Sequence, residues 1–382
     1  MKSVIAQATA LVSTLAAFAA PSVSHADVPD FTIHQHYVSP RALGMGNAFT
    51  ALADDYSAVF YNPAGLARIE EPQINLGIGA GIDANFIKLQ KDISDSQGGD
   101  VSQTTNLLEQ NYGEHYSARV PTLSAFWVRP RWGIAIIPVD LSLELGIHKL
   151  ATLDVIATQD TTIAYARGWD VNWGADHISM GITGKAIYRG YYNKAIHASE
   201  LAMDPKLLRA EEAKEGLTVD FDYGMLWTPK LEQESWLRAA RPTIGFTVRN
   251  IADYGFKQNF HLIDKNSTEA PKIGRRFDLG TLWELPDWWI WKTRAMVDMR
   301  DMGHANWTAK KGFHAGVELL WKIRSWWQGG WRVGVNQGYF TGGFTGKFAL
   351  FNLDLVTYAE EVGPSDNPKS NRRYMLKASL DW

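Results

Sequence analysis

The stretch PQINLGIGAGIDANF, residues 72–86, alternates strictly between two kinds of residue. Its even-numbered positions from Ile74 to Phe86 are all apolar, and its odd-numbered positions from Gln73 to Asn85 are polar residues or glycine. A period of two places the two kinds on opposite faces of a β-strand. The stretch therefore predicts a strand with one apolar face and one polar or small face.

The same alternation recurs to the end of the chain. An even number of such strands, with long connections alternating with short ones, is typical of bacterial outer-membrane barrels. The longest connections, 87–116, 191–216 and 254–274, all follow odd-numbered strands, and we expect helices at 106–114 and 201–214 over the outer mouth. The prediction is an all-β, 14-stranded antiparallel transmembrane β-barrel. Its strands are predicted at 72–86, 117–129, 131–145, 150–165, 176–190, 217–228, 242–253, 275–285, 288–300, 311–322, 330–336, 341–350, 352–361 and 372–382.

The composition excludes several classes of protein. The 382 residues hold 38 Lys and Arg against 41 Asp and Glu, which does not suit electrostatic binding of nucleic acid. The chain has no cysteine, which excludes a disulfide scaffold, a thiolate metal site and thiol catalysis. Beyond the first residues of the chain, no apolar run reaches the roughly 18 residues that a membrane helix needs. We expect neither a cofactor nor a metal ion.

Tryptophan supplies an independent test of the barrel. Of the 16 Trp residues, all except Trp307 lie near connections that follow even-numbered strands, or at the C-terminus. Because barrels carry aromatic girdles at the membrane interfaces, Trp is expected to mark the periplasmic rim. The alternative is a secreted β-sandwich or propeller. A propeller would show repeats of about 40 residues, and the sequence has none.

The first 71 residues lack this alternation and divide into two parts. Residues 1–26 combine Lys2, an apolar run and small residues around His25, which predicts a secretory signal peptide. Residues 27–71 are predicted to form a hatch inside the barrel, because fourteen strands enclose more space than wall side chains fill. Residues 72–382 then form the transmembrane barrel.

The hatch segment resembles a known family. The runs LGMGNAFTALADD at 43–55 and SAVFYNPAGLA at 57–67 are similar to the hatch of FadL-type outer-membrane transporters of long-chain fatty acids and other hydrophobic compounds. That family has PorV-like and TraF-like relatives, and residues 331–339 with 342–344 and 353–354 look more like the PorV-like branch. The resemblance implies a monomer in the bacterial outer membrane, in contact with outer-membrane lipid and inserted by the barrel-assembly machinery, that takes up hydrophobic small molecules or fatty acids.

One strand breaks its own pattern. In the third predicted strand the apolar residues occupy even positions before Pro138 and odd positions after it, which requires a bulge or a kink. In FadL-type transporters a kink in the third strand opens a lateral gap, and Pro138 resembles that feature; an ordinary bulge without an opening is the alternative. The residues expected to gate or bind a ligand are Gly44, Gly46, Asn62, Pro63 and Ala64 in the hatch, the inward-facing Gly77, Gly79 and Gly81, which leave room for the hatch or for a ligand, and Pro138.

Enzymatic chemistry is not expected. His34 and His36 have possible metal-ligand spacing but no third ligand, and Asp54-Asp55 is expected to cap or pair within the hatch. No nucleophile-elbow motif occurs. Two functional classes remain: a transporter of hydrophobic molecules, with lateral exit near the third strand, or a non-transport barrel acting as a PorV-like secretion shuttle or a conjugation-related scaffold. An apolar pocket between hatch and outer loops would favour the first, and a polar, plugged lumen the second.

Overall fold

The computed structural model describes residues 28–95, 101–173, 176–204, 207–230 and 240–382, so the predicted signal peptide lies outside the described residues. Fourteen antiparallel strands form a closed barrel in which each strand pairs with its chain neighbours and β1 pairs with β14. The strands are β1 Gln73–Asp83, β2 His115–Arg129, β3 Trp132–His148, β4 Thr152–Trp173, β5 Asp176–His197, β6 Lys214–Thr228, β7 Thr243–Arg249, β8 Arg276–Glu284, β9 Trp291–Met302, β10 Phe313–Arg324, β11 Trp327–Asn336, β12 Tyr339–Phe348, β13 Phe351–Glu361 and β14 Ser370–Asp381.

The helices are short and lie between the strands or before them. No helix among the described residues is both long enough and apolar enough to cross a membrane. The helices are α1 Pro40–Gly44, α2 Ala58–Tyr61, α3 Phe86–Asp95, α4 Val101–Gln110, α5 Ala198–Met203 and α6 Ala309–Gly312, with 3₁₀ helices at Pro63–Arg68 and Ala210–Glu212.

The predicted strands are all present, in the predicted order. The largest difference is in β4 and β5, which reach 22 residues each. Asp154 and Asp160 interrupt the apolar pattern of β4 in the sequence, yet they do not end the strand. Asp160 accepts hydrogen bonds from Arg189 of β5, and Asp154 pairs with His148. Paired in this way, both carboxylates are accommodated in a continuous strand.

The outer face of the barrel is apolar. A closed barrel leaves no strand edge with unpaired backbone groups, and an apolar outer face is compatible with surrounding lipid. The protein is therefore a transmembrane β-barrel of the bacterial outer-membrane type. Its exposed outward side chains include Leu76, Ile78, Ile136, Ile163, Ile182, Val219, Phe221, Leu279, Val297, Val333, Leu353, Leu355 and Leu376.

The connections define the two ends of the barrel. Connections after even-numbered strands are mostly short, as at 130–131 and 325–326, so this end is periplasmic. The longest connections, 84–114, 198–213 and 250–275, emerge at the outer end. Trp residues of the described strands and turns cluster at the periplasmic end as predicted, and Trp307 lies at the outer end; Trp236 lies outside the described residues.

The outer helices differ from the prediction in both extent and place. The first long connection forms α3 and α4, and the second forms only α5 and a 3₁₀ turn. These helices do not lie over the mouth. They pack on outward-facing side chains of the tall strands β3, β4 and β5, because those strands extend far enough to expose apolar residues that need cover. The resulting cluster joins Phe86, Leu89, Ile93, Leu108 and Leu201 to Leu143, Leu145, Ile147, Leu153, Val155, Tyr192 and Ile196.

Candidate functional site

Residues 28–72, the N-terminal segment, lie inside the barrel and contact inward-facing side chains around the wall. Its aromatic residues Phe49, Phe60 and Tyr61 form a buried apolar cluster with Phe126 of β2 and Ile137 of β3. Phe49 and Tyr61 pack edge to face with ring centroids 5.2 Å apart. The lumen at this level is therefore filled by protein.

The Asn62-Pro63-Ala64 motif starts the first 3₁₀ helix and docks it on the wall. The Asn62 Oδ1 accepts a hydrogen bond from the Ala64 N–H at 3.1 Å, and its Nδ2 donates to the carbonyl of Thr50 at 2.7 Å. The wall makes room with Gly181 of β5, where an added Cβ would lie 2.3 Å from the Pro63 carbonyl carbon. The motif is thus a structural joint between segment and barrel.

Gly44 and Gly46 serve the same purpose on the opposite wall. Gly46 has φ +67°, and a Cβ there would lie 2.2 Å from the Val335 carbonyl oxygen. A Cβ on Gly44 would lie 3.1 Å from Gly343 Cα. The glycines that admit the segment backbone are therefore distributed around the wall, and sequence reasoning missed those of the barrel: Gly168, Gly181, Gly224, Gly245, Gly316, Gly334 and Gly343.

Substituting one of these wall glycines should destabilise the barrel. In Gly316→Ala the new Cβ would lie 2.3 Å from the Met45 carbonyl oxygen, so backbone must move. Such overpacking costs about 1–3 kcal/mol. Gly342→Ala is the matched control, since its nearest neighbour would be 3.7 Å away. Denaturant titration of the two variants in detergent, followed by heat-modifiable gel mobility, measures the difference; equal midpoints would contradict the packing described here.

An ionic latch fastens the periplasmic side of the segment to the wall. Arg41 of α1 donates through Nη1 to Asp54 and Asp55, both at 2.7 Å, and through Nε and Nη2 to Glu318 of β10 at 2.8 and 2.7 Å. Arg294 of β9 donates to Asp54 at 2.6 Å. Asp54 and Asp55 therefore pair within the segment through Arg41, as predicted, and Asp54 also pairs with the wall through Arg294. The ionic latch comprises Arg41, Asp54, Asp55, Arg294, Glu318 and Arg332.

The outer side of the segment meets a second layer of charge. Gln35 accepts from Arg119 through its main-chain carbonyl at 2.9 Å and from Arg249 through its side chain at 3.0 Å. Burial, and then the charge of Lys185, hold the pKa of His36 well below its ordinary value. Among the described residues no cluster of His, Asp and Glu suits a metal ion. Buried ion pairs of this layer are Arg119–Asp140, Arg189–Asp160, Lys185–Asp222 and Arg249–Asp301.

The glycines of β1 face inward as predicted, yet the nearest atoms to them belong to the wall. A Cβ on Gly77 would lie 2.3 Å from Lys377 Cε, and one on Gly81 would lie 3.1 Å from Met375 Cε, both on β14. Gly79 borders a small cavity, the luminal gap, of about 20 Å³. The luminal gap is lined by Tyr37, Val38, Pro40, Gly79, Thr122, Ser124, Met375 and Lys377.

Pro138 lies at a β-bulge. The pairing of β3 with β4 passes from Ile137↔Thr162 to Asp140↔Asp160, so β3 has one additional residue there. The predicted change of phase is thus real, and pairing resumes on both sides of it. β2 has a register shift of its own nearby, between its residues Arg119 and Thr122, against both β1 and β3. Two adjacent strands are therefore irregular at the same level of the wall.

A lipid-facing groove lies beside these irregularities. This outer groove has a volume of about 600 Å³ and is mostly apolar. Ser124 lines both the outer groove and the luminal gap, and Gly77 of the groove adjoins Gly79 of the gap. The stem of Lys377 covers Gly77 on the luminal side. The outer groove is lined by Leu76, Gly77, Ile78, Leu123, Ser124, Ala125, Pro138, Phe351, Ala378, Ser379 and Leu380.

Comparison with solved structures finds membrane channels. The CymD monoaromatic hydrocarbon channel is 11% identical, over 90% of this chain and 97% of that chain, with a TM-score of 0.49. The Ralstonia pickettii toluene transporter TbuX is 10% identical over 90% and 98%, with a TM-score of 0.47. A Pseudomonas aeruginosa FadL homologue is 9% identical over 94% and 99%, with a TM-score of 0.32.

No family model matches the chain, and no curated protein matches it. The architecture described above rests on the strand pairing of this chain itself.

Proposed function

We propose that this barrel carries hydrophobic small molecules, long-chain fatty acids or hydrocarbons, across the bacterial outer membrane by diffusion, with lateral exit into the membrane between β1 and β2, near Pro138. One observation carries the proposal: the luminal gap and the outer groove adjoin the same thin part of the wall, at Gly77, Gly79 and Ser124. A passage there requires the Lys377 stem to move off Gly77 and the pairing of β1 with β2 to open locally.

Entry begins at a cavity at the outer end, the outer vestibule. It has a volume of about 260 Å³ and a mixed lining that includes Phe31, Tyr112, Glu144 and Ile156. Exposed apolar residues near the outer connections, such as Phe31 and Tyr112, are suited to first contact with a hydrophobic molecule.

An inward apolar patch leads from the vestibule toward the luminal gap. Val38 and Leu43 of the N-terminal segment pack against Val356, Tyr358 and Met375 of β13 and β14. Val38 and Met375 also line the luminal gap. Charged pairs lie on this side of the barrel too, at Arg119–Asp140 and Arg373–Glu360, so the apolar patch itself is the part that suits an apolar solute.

An ion-pair cluster closes this path in the described state. Arg373 of β14 contacts Glu360 of β13 at 2.8 Å and Glu144 of β3 at 3.4 Å. β3 is not a neighbour of β14, so the second contact crosses in front of β1 and β2. Glu144 also lines the vestibule. Movement of Arg373, together with Val38, is the opening step in this proposal.

A non-transport role as a PorV-like secretion shuttle or conjugation-related scaffold is the second candidate. One observation favours it: the lumen around Gln35 is filled by paired charges, and the ionic latch holds the segment in place. The transport role instead requires this closed arrangement to be one of two states.

Uptake by cells tests the choice directly. Cells of a strain without its own hydrophobic-compound transporters, with and without this chain in the outer membrane, are given radiolabelled oleate or toluene. We expect faster initial uptake of at least one compound with the chain present, because lipopolysaccharide-bearing membranes resist such solutes. If cells with the folded barrel in their membrane took up each compound no faster than cells without it, the result would instead support the scaffold role.

A further inference from the structure

Lys377 of β14 points into the lumen and is 5% exposed. Its Nζ donates hydrogen bonds to the Asn75 Oδ1 at 3.0 Å and the Tyr56 hydroxyl at 3.1 Å. The ammonium also lies 4.9 Å from the centroid of the Tyr56 ring and 5.9 Å from that of Phe126. A buried lysine held in this way links the wall to the N-terminal segment.

Its partners are neutral. In the described part of the chain, no carboxylate oxygen lies within 4 Å of the Lys377 Nζ, whereas the equally buried Lys185 pairs with Asp222 at 2.6 Å. Hydrogen bonds and cation–π contacts to neutral groups are weaker than a buried, hydrogen-bonded ion pair. The contacts that hold the Lys377 side chain are therefore weaker than the ion pair that holds Lys185.

Lys377 stands where three cavities approach one another. It lines the luminal gap directly. Its stem covers Gly77, which lines the outer groove. Its ammonium bonds to Tyr56, which lines a periplasmic pocket of about 400 Å³. This periplasmic pocket is polar, with Arg41, Asp55, Lys347, Asp354 and Asp381 among its lining residues.

We propose that Lys377 is the valve residue of the barrel: its side chain separates the luminal gap from the periplasmic pocket, and thereby keeps a molecule in the gap from passing on to the periplasmic end. The inference rests on the proposed function for its purpose, but the separation of the cavities is a property of the barrel alone. With the lysine stem removed, the gap and the periplasmic pocket become continuous, and water and small ions reach the gap from the periplasmic end.

Cysteine labelling tests this valve, because the chain has no cysteine of its own. Val38→Cys places one thiol in the luminal gap, and the purified barrel in detergent is treated with a small cationic methanethiosulfonate reagent. We expect Lys377→Ala to raise the labelling rate about tenfold or more, as for a site that no longer needs local opening to be reached. Heat-modifiable gel mobility checks that each variant is folded.

Gly77→Ala supplies a second variant that leaves the lysine in place. The added Cβ would lie 2.3 Å from Lys377 Cε, so the flexible stem must move away and labelling should rise as well. Lys347→Ala is the matched control, since Lys347 faces the periplasmic pocket but does not line the gap. Gly342→Ala controls for the glycine change.

Labelling of folded Lys377→Ala and Gly77→Ala at the unsubstituted rate would overturn the proposal, as would an equal rise in Lys347→Ala. The readout uses no cargo. A barrel that takes up no hydrophobic compound can therefore still show the valve, and intact uptake with unchanged labelling would remove the valve while leaving the proposed function standing.

Discussion

Glu318→Ala is expected to release the N-terminal segment from the wall and to cause the largest loss of stability of any single substitution in the ionic latch. Glu318 is fully buried and accepts hydrogen bonds from Arg41 at 2.7 and 2.8 Å and from Arg332 at 2.8 Å. Its removal takes the shared partner away from the buried guanidinium of Arg332 and the partly buried one of Arg41, which costs about 3–5 kcal/mol. Arg41 then retains only the carboxylates of its own segment.

Two measurements detect release of the N-terminal segment in the Glu318→Ala variant. Denaturant titration in detergent reports the loss of stability, and limited trypsin digestion reports exposure of Arg41 and Arg68, which the folded segment keeps largely covered. Glu71→Ala removes an exposed carboxylate of the same segment and should change neither result. If the Glu318 variant resisted trypsin as the unsubstituted protein does, the ionic latch would not be what holds the segment.

The barrel itself could be predicted from the sequence because its signal is local. A strand with one face toward lipid and one toward a polar lumen must alternate, so each segment reports its own structure. The same logic located the bulge, since one additional residue at Pro138 exchanges the two faces of β3. The strand ends were less accurate, because pairing between β4 and β5 continues through residues 166–173 and 191–197, beyond the predicted ends of both strands.

The site was harder to predict because it depends on which strands face one another across the lumen. Alternation shows that Lys377 and Gly77 point inward, but only barrel closure of β14 onto β1 brings their atoms together. The glycines that admit the N-terminal segment were missed for the same reason. Gly181 and Gly316 look like ordinary strand glycines until the segment backbone lies against them. Alternation places these glycines on the inward face of their strands, but nothing in the neighbouring sequence distinguishes them from other inward-facing glycines.

The outer helices show a second limit of prediction from the sequence. Their amphipathic pattern predicts a covered face but not what covers it. α3, α4 and α5 cover outward-facing residues of β3 to β5 such as Leu145 and Val155, rather than the mouth. The vestibule is consequently left with a mixed lining that includes His115 and Lys369.

Locking β1 to β2 should abolish uptake if the lateral exit is real. Gly79 and Thr122 are register partners next to the bulge of β2, so a disulfide between cysteines at these positions has suitable cross-strand spacing. The bond would hold the strands together at the wall between the luminal gap and the outer groove. The natural absence of cysteine ensures that no other disulfide forms. A reductant should restore uptake in the same cells.

The most direct test of lateral exit is therefore the uptake rate of Gly79→Cys/Thr122→Cys before and after reduction. The control is Gly342→Cys/Thr357→Cys, another Gly–Thr register pair, between β12 and β13 and away from the groove. Lateral exit predicts that the oxidised Gly79/Thr122 lock lowers uptake to the level of cells without the protein, that reduction restores it, and that the control lock has no effect. Undiminished uptake through the oxidised lock would contradict passage between β1 and β2.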